Sequence, residues 1–177
     1  TDSLVGSEMC IRDRLWAPWR MEHIKRDLSN DKNKCVLCVD VNNSNDRKNL
    51  ILHRGKFSFI IMNLYPYNNG HLMVCPYKHI ASLSKLNEET LSEIMKLISK
   101  SSEILRKTLN AEGFNIGANI GSVGGAGIDD HLHFHLVPRW KGDTNFMPVV
   151  GNTKVIMSGL HDTYDELFSH FQKGLSK

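Results

Sequence analysis

The sequence predicts an α+β domain in which one antiparallel five-stranded sheet packs against one long helix. Short apolar runs separated by turn residues and one extended amphipathic stretch predict this architecture, and no internal repeat suggests another. Strands are expected at 50–53, 57–62, 71–75, 114–119 and 131–137. Because only short turns separate the first three runs, we expect those strands to form antiparallel neighbours.

The strongest helical pattern begins after Asn87, a residue type that commonly caps helix N-termini. Two glutamates follow in the first turn, where the helix dipole favours negative charge, and apolar residues then recur at helical spacing up to Leu109. Gly113 is expected near the C-cap position. A short C-terminal helix is expected at about 162–172, where leucine and phenylalanine form an apolar stripe.

Length and composition indicate one globular domain, which we place at residues 15–177. Residues 1–14 are expected to be non-native or disordered, because 7–13 look like a translated sequencing-library transposon end. A net charge of +3 argues against a dedicated nucleic-acid binder. No apolar run approaches the ~20 residues of a membrane span and no secretory signal is visible, so we expect a cytoplasmic protein without membrane contacts.

Cys35 and Cys38 form a C-x-x-C pair within a polar loop. In a cytosolic protein such a pair indicates metal binding or redox chemistry more than a structural disulfide. Cys75 lies in an apolar run and is expected to be a small buried hydrophobic residue. The pair alone does not decide between metal binding and redox chemistry.

Three histidines recur at every second residue: His131, His133 and His135. Side chains alternate across a strand, so the three imidazoles are expected on one face while the intervening apolar residues face the core. Two interpretations fit this pattern. One is a metal site built from several of the imidazoles. The other is a histidine nucleophile that is oriented by its neighbours.

Several sequence blocks, in this order, resemble the histidine triad (HIT) superfamily, and in particular its diadenosine tetraphosphate phosphorylase-like branch. The blocks are 15–20 (LWAPWR), 63–74 (NLYPYNNGHLMV), 125–128 (GAGI), 130–133 (DHLH) within the triad 131–137 (HLHFHLV), 137–140 (VPRW) and 142–148 (GDTNFMP). A histidine triad alone is moderately specific, whereas linked blocks in this order are highly specific. The resemblance implies a HIT-like fold.

The resemblance also implies roles for three histidines. His133, the middle residue of the triad, would attack the α-phosphorus of a nucleotide and form a covalent nucleotidyl-histidine. His135 would contact the phosphate or hold the protonation state of the site. His71 would support the triad from the neighbouring strand. Neutral imidazole is a good nucleophile near pH 7, which suits this chemistry.

Residues that would contact the substrate follow from the same resemblance. Asn63 would bind the ribose and Asn119 would lie near the α-phosphate. The glycine-rich loop would cradle phosphates through backbone N–H groups, and its implied contacts are Ser122, Gly125 and Gly127. Many triad hydrolases carry Gln or Ser just before the first histidine, where this chain has Ala126 and Gly127. Backbone amides, Ser122, or the basic residues Arg139 and Lys141 would take over those contacts.

A structural zinc site is implied as well. In triad relatives that bind zinc, a C-x-x-C pair joins two histidines, which here correspond to Cys35, Cys38, His79 and His131. Four protein ligands close a tetrahedral site, so this zinc is expected to be structural and not catalytic. A redox pair would be expected in a thioredoxin-like βαβ context, which the sequence lacks.

The sequence therefore predicts a nucleotidyl transferase that cleaves dinucleoside polyphosphates by phosphorolysis, with inorganic phosphate as acceptor. Alternatives are a dinucleoside polyphosphate hydrolase, a nucleoside phosphoramidase, a nucleotide-binding signalling module and, least favoured, a metal-dependent oxygenase using the histidines directly. Relatives are usually homodimers, and a homodimer is expected here. The catalytic interpretation expects three imidazoles along one pocket, with the central ring open to substrate.

Overall fold

A computed structural model of the chain describes residues 35–39, 45–143 and 158–175. The predicted N-terminal segment 1–14, the block 15–20 and most of the block 142–148 lie outside these residues. The elements are β1 (Ile51–Arg54), β2 (Ser58–Met62), β3 (Leu72–Pro76), a 3₁₀ turn (Leu83–Lys85), α1 (Glu88–Thr108), β4 (Gly113–Gly117), β5 (Phe134–Arg139) and α2 (Leu160–Leu175).

The five strands form one sheet in the order β1-β2-β3-β5-β4, and all neighbouring strands are antiparallel. The first three strands form a meander, as predicted from the short turns between them. β5 lies between β3 and β4, and α1 makes the connection from β3 to β4. The predicted fold class, an antiparallel five-stranded sheet with helices packed on it, is confirmed.

Helix α1 begins where the sequence predicts. The Asn87 side chain accepts a hydrogen bond from the backbone N–H of Thr90, which satisfies one of the unpaired donors of the first turn. The other end differs from the prediction. The helix stops at Thr108, and Asn110 adopts the left-handed conformation with φ of 51°. Gly113 is therefore not near the cap but is the first residue of β4, where it pairs with Arg139.

Helix α2 covers 16 residues and extends beyond both predicted ends, so it is longer than the short helix expected. It contacts α1 and β1, while α1 contacts β2, β3 and β5. Its buried side includes Tyr164, whose hydroxyl donates to the Ile51 carbonyl at 2.9 Å. Leu136 of β5 is fully buried in the core, so the neighbouring residue His135 projects from the opposite face of the strand. Within the described part of the chain, no helix is long and apolar enough to cross a bilayer.

Candidate active site and metal centre

The histidine segment is only partly a strand. β5 begins at Phe134, so the prediction of a strand from residue 131 is wrong at its first three positions. The backbone N–H of Leu132 donates to the carbonyl of Ile80 at 2.6 Å, and this bond turns the preceding chain toward the segment that follows β3. His131 consequently faces the cysteines, with its Nδ1 3.4 Å from Cys35 Sγ.

The second and third histidines of the triad remain together. The rings of His133 and His135 meet edge to face, with centroids 4.9 Å apart and an interplanar angle of 81°. His71 lies beside them, and its ring centroid is 5.1 Å from that of His135. The structure thus groups the three predicted catalytic histidines and separates them from His131, which occupies the cysteine cluster.

Hydrogen bonds assign the proton positions of His71 and His135. The backbone N–H of Tyr67 donates to His71 Nδ1 at 3.0 Å, so that nitrogen carries no proton and His71 Nε2 does. His71 Nε2–H then donates to His135 Nδ1 at 3.0 Å. The remaining proton of neutral His135 is therefore on Nε2. This chain of contacts gives His135 a defined N–H donor.

His133 has the complementary arrangement. Its Nδ1–H donates to the backbone carbonyl of His131 at 2.8 Å, which leaves the lone pair of the neutral ring on Nε2. No other described residue forms a hydrogen bond with that Nε2. The ring itself is buried, with 4% of the residue exposed, which differs from the expectation of an open central ring. A substrate therefore has to reach one edge of a largely covered imidazole.

Of the two predicted asparagines, Asn63 lies directly beside this histidine group. Asn63 Nδ2 is 3.4 Å from His71 Nδ1, and its Oδ1 accepts from the backbone N–H of Tyr65 at 2.9 Å. Gly117, the last residue of β4, pairs with His135, and Asn119 follows it at the start of the glycine-rich loop. The structure thus brings Asn63 beside the catalytic histidines, and a contact of Asn119 with the α-phosphate stays a prediction.

The glycine-rich loop is a series of tight turns that begins beside Asn119. The amide of Asn119 donates to the carbonyl of Gly125 at 3.2 Å, and the Gly125 N–H donates to the Ser122 carbonyl at 3.0 Å. Gly125 has φ of 81°, and a Cβ on Gly124 would lie 2.4 Å from the Ile120 carbonyl oxygen. Glycine is therefore required at these two positions by the turn itself. A Cβ on Gly127 would contact nothing within 4 Å, so space does not restrict that position.

Arg139 lies at the far end of β5, about 14 Å along the strand from His135 at ~3.4 Å per residue. Its guanidinium binds both carboxylate oxygens of Asp143, at 2.6 and 2.8 Å, and donates to Asn115 Oδ1 at 2.8 Å. Asp143 also accepts from Asn68 Nδ2 at 2.8 Å. These contacts give Arg139 a structural role, and its predicted contact with substrate stays a prediction.

Replacing Asp143 with asparagine is expected to lower the free energy of unfolding at pH 7 by about 1–2 kcal/mol, since charge-assisted hydrogen bonds are lost. Hydrogen bonds from Arg139 hold the pKa of Asp143 at about 2. Because this pKa is depressed, the stabilisation is present above the unfolded value near 4 and disappears as pH falls toward 2. Urea unfolding at pH 7 and at about pH 2.5 checks this. At pH 7 the wild type should be more stable than Asp143→Asn, whereas the control Asp129→Asn should match the wild type. At about pH 2.5 the difference in unfolding free energy between wild type and Asp143→Asn should be smaller.

The predicted metal ligands form one cluster. Cys35, Cys38, His79 and His131 each offer one ligand atom, and the four atoms lie within 4.8 Å of one another. Cys38 Sγ lies 3.2 Å from His79 Nδ1 and 3.7 Å from His131 Nδ1. Around a tetrahedral zinc with bonds of about 2.0–2.3 Å, ligand atoms lie about 3.3–3.8 Å apart. Three sulfur–nitrogen distances in the cluster, 3.2, 3.4 and 3.7 Å, are close to this range, and the donor set is that of a Cys₂His₂ zinc site.

Two further features suit a cation here. The Nε2–H of His131 donates to the carbonyl of Pro76 at 2.9 Å, so the Nδ1 lone pair is the one that faces the cysteines. Burial lowers the pKa of His131 and keeps it in the neutral form that binds metal. Burial also raises the pKa of the Cys35 thiol to about 11, and a bound cation is the usual means of stabilising the thiolate at such a site.

Comparison with known proteins agrees with this geometry. Residues 43–142 match the family described as HIT domain. The chain belongs to the HIT family. This HIT chain is 37% identical over 155 residues to AP-4-A phosphorylase of Mycobacterium tuberculosis. The match covers 85% of this chain and 80% of that protein. It is also 30% identical over 93 residues to the asymmetrical bis(5'-nucleosyl)-tetraphosphatase of Schizosaccharomyces pombe, covering 52% of this chain and 50% of the relative.

Solved structures show the same fold. A Zn-bound histidine triad family protein from Mycobacterium smegmatis superposes with a TM-score of 0.58 at 22% identity. The match covers 70% of this chain and 84% of the M. smegmatis chain. A hypothetical histidine triad nucleotide-binding protein from Sulfolobus tokodaii gives a TM-score of 0.59 at 24% identity. The match covers 79% of this chain and 91% of the S. tokodaii chain. The predicted family and fold are confirmed, and the chain is a HIT-family enzyme.

Two contacts of the site were absent from the sequence interpretation. The N–H that fixes His71 belongs to the backbone of Tyr67, and a backbone donor has no signature in the residue type. Asp143 holds Arg139 and Asn68 together. Its position four residues after Arg139 is the only sequence signal for this contact.

Proposed function

We propose that this enzyme cleaves dinucleoside polyphosphates of the diadenosine tetraphosphate class by phosphorolysis, with His133 as nucleophile. The observation that carries the proposal is the tautomer of His133, whose Nδ1–H is held by the His131 carbonyl so that Nε2 keeps its lone pair. The identity of 37% with AP-4-A phosphorylase over most of both chains supports the substrate class.

In the first step, His133 Nε2 attacks the α-phosphorus of one nucleoside, and the bond from that phosphorus to the bridging oxygen breaks. With diadenosine tetraphosphate, this gives an adenylyl-histidine and leaves ATP. Developing negative charge on the leaving oxygen needs a nearby donor. His135 is suited to this role, because its contact with His71 leaves its Nε2 protonated.

In the second step, an oxygen of inorganic phosphate attacks the same phosphorus and breaks the P–N bond. ADP forms, and the Nε2 lone pair of His133 is restored. Water in place of phosphate would give AMP. Asn63, which lies beside His71, and Asn119, two residues beyond the end of β4, are proposed to hold the ribose and the α-phosphate. Ser122, Gly125 and Gly127 are proposed to contact the phosphate chain.

The deciding experiment supplies diadenosine tetraphosphate together with ¹⁸O-labelled inorganic phosphate and identifies products by mass. The proposal expects one labelled ADP and one unlabelled ATP per turnover. Appearance of AMP and ATP at a rate independent of phosphate would instead establish a hydrolase, the activity named for the S. pombe relative. Tight retention of nucleotide with negligible turnover would establish a binding module.

The contact between His71 and His135 yields a separate kinetic prediction. His71→Phe keeps a ring of similar shape against Tyr67 but removes the N–H that donates to His135 Nδ1. We expect kcat to fall about ten- to a hundredfold, because His135 is no longer held as an acid. KM should change less than kcat does, since the contact of His71 with Asn63, the proposed ribose ligand, is long at 3.4 Å and the contact with His135 is 3.0 Å. A roughly ten- to hundredfold rise in KM with unchanged kcat would place His71 in substrate binding instead.

We also propose that Cys35, Cys38, His79 and His131 hold a structural zinc ion. The donor set and the spacing of the four ligand atoms support this, as does the fold shared with a Zn-bound triad protein. Four protein ligands leave no open coordination position, so the zinc would supply conformational stability and no reaction chemistry. It would connect the segment 35–39 to the chain leading into β5.

The assembly proposed for residues 15–177 is a single domain that forms a homodimer. β4 is an edge strand, and an exposed strand edge is a site where a second chain can add. Ile116 on this strand is 52% exposed, an apolar surface that a second copy would cover. Sedimentation equilibrium measures this assembly state directly. The cytoplasmic location stays a prediction.

A further inference from the structure

We infer that Asp130 is an outer-sphere residue of the metal centre, which holds His79 in the orientation and tautomer that bind the metal. The inference rests on the proposed metal site and adds to it a residue that is not itself a ligand. Asp130 Oδ2 lies 3.4 Å from His79 Nε2, the ring nitrogen that does not face the cysteines. The other ring nitrogen, Nδ1, is 3.2 Å from Cys38 Sγ.

The two histidines of the cluster are arranged alike. Each directs Nδ1 toward a cysteine sulfur, and each has an oxygen atom near Nε2. For His131 that oxygen is the carbonyl of Pro76, and for His79 it is the carboxylate of Asp130. A metal on Nδ1 leaves the ring proton on Nε2. The Pro76 carbonyl accepts that proton of His131 at 2.9 Å, and the Asp130 carboxylate lies at ion-pair distance, 3.4 Å, from the corresponding nitrogen of His79. The repeated arrangement supports a common role for the two oxygens.

His79 needs such a partner more than His131 does. The His131 residue is fully buried, and the backbone N–H of the next residue, Leu132, donates to the Ile80 carbonyl. The His79 side chain is 43% exposed, so packing restricts its rotation less. Without a second partner, this ring would sample other rotamers and both tautomers, and each departure would weaken metal binding. Asp130 is 63% exposed, so solvent screens its charge, and the expected effect is at the lower end of the outer-sphere range.

Asp129 provides a matched control, because it is the adjacent acidic residue, is exposed, and makes no contact with a cluster ligand in the described structure. Replacing either aspartate removes the same charge at nearly the same place in the chain. A general attraction of a cation to the net charge of this segment would weaken in both variants. Asp130 also acts electrostatically on Cys35 and His131, so the Co²⁺ spectrum, which reports the orientation of the ligands, is the readout that identifies the contact with His79.

The experiment measures zinc affinity by competition with a chromophoric chelator for four proteins: wild type, Asp130→Ala, Asp129→Ala and His79→Ala. The d–d spectrum of the Co²⁺-substituted proteins provides a second readout that does not depend on enzyme activity. We expect Asp130→Ala to weaken zinc binding about tenfold and to broaden the Co²⁺ bands, with Asp129→Ala within twofold of wild type. His79→Ala should lose far more affinity, because it removes a ligand.

Equal affinities for Asp130→Ala and wild type would overturn the inference while leaving the zinc site intact. Equal weakening in both aspartate variants would also overturn it, because the effect would then be one of net charge. A wild-type protein that binds neither Zn²⁺ nor Co²⁺ would overturn the metal site itself. Circular dichroism of the metal-free proteins verifies that all four variants start from the same fold.

Discussion

His133→Asn is expected to lower kcat for diadenosine tetraphosphate cleavage by at least about a thousandfold while leaving the fold intact. Removing a covalent nucleophile leaves only binding and charge stabilisation, and losses of this size or larger are typical of such changes. Asparagine suits the test because its side-chain amide can donate to the His131 carbonyl, as Nδ1 of the imidazole does. Single-turnover kinetics with excess enzyme measure the chemical step directly.

Retained turnover in His133→Asn would indicate a structural role for this buried ring. Only 4% of the residue is exposed, so an enzyme that retains turnover in His133→Asn would use this ring as part of the scaffold. The zinc content of His133→Asn distinguishes metal binding by the catalytic histidines from metal binding by the cysteine cluster. If the metal were held by the catalytic histidines, as in an oxygenase-like site, it would be lost. The proposed cluster, which includes His131 but not His133, should retain one zinc per chain.

The second large effect is expected from disrupting the metal cluster. Cys38→Ser should abolish stoichiometric zinc and lower the thermal midpoint by about 10 °C. Zinc at about a thousand times its dissociation constant stabilises a protein by about 4 kcal/mol, which corresponds to roughly that shift for a chain of this size. The loss is large because the cluster joins segments that lie 93 residues apart, from Cys38 to His131.

Two comparisons make this prediction specific. Cys75→Ala alters a fully buried thiol in β3 that is not part of the cluster, so it should retain one zinc per chain. A chelator should lower the midpoint of wild type to that of Cys38→Ser and leave Cys38→Ser unchanged. If the chelator lowered both equally, or neither, the cluster would not be the source of the stabilisation.

Features set by local sequence were predictable. The start of α1 depends on Asn87 and the residues that follow it directly, and the strands β2 and β3 are bounded by turn residues. The C-terminal end of α1 was not predictable, because Asn110 and Gly113 can both adopt the left-handed conformation that ends a helix. The structure uses Asn110, which leaves Gly113 to begin β4.

Features set by distant contacts were predictable only through the family resemblance, or not at all. Alternation predicted that His131 shares a face with His133, but the bond from Leu132 to Ile80 interrupts the ladder before β5. No periodicity in a sequence indicates such a bond, because its acceptor is 52 residues away. The contact between Asp130 and His79 is hidden for the same reason.

The position of β5 between two earlier strands has a consequence during synthesis. β3 and β4 are both complete by residue 117, yet β3 keeps one unpaired edge and β4 has no partner strand until Phe134–Arg139 has left the ribosome. A nascent chain that stops short of this point therefore exposes two ready templates for intermolecular pairing. The strand that completes the catalytic histidines is also the strand that closes this gap, so a truncated chain would be both inactive and prone to aggregation.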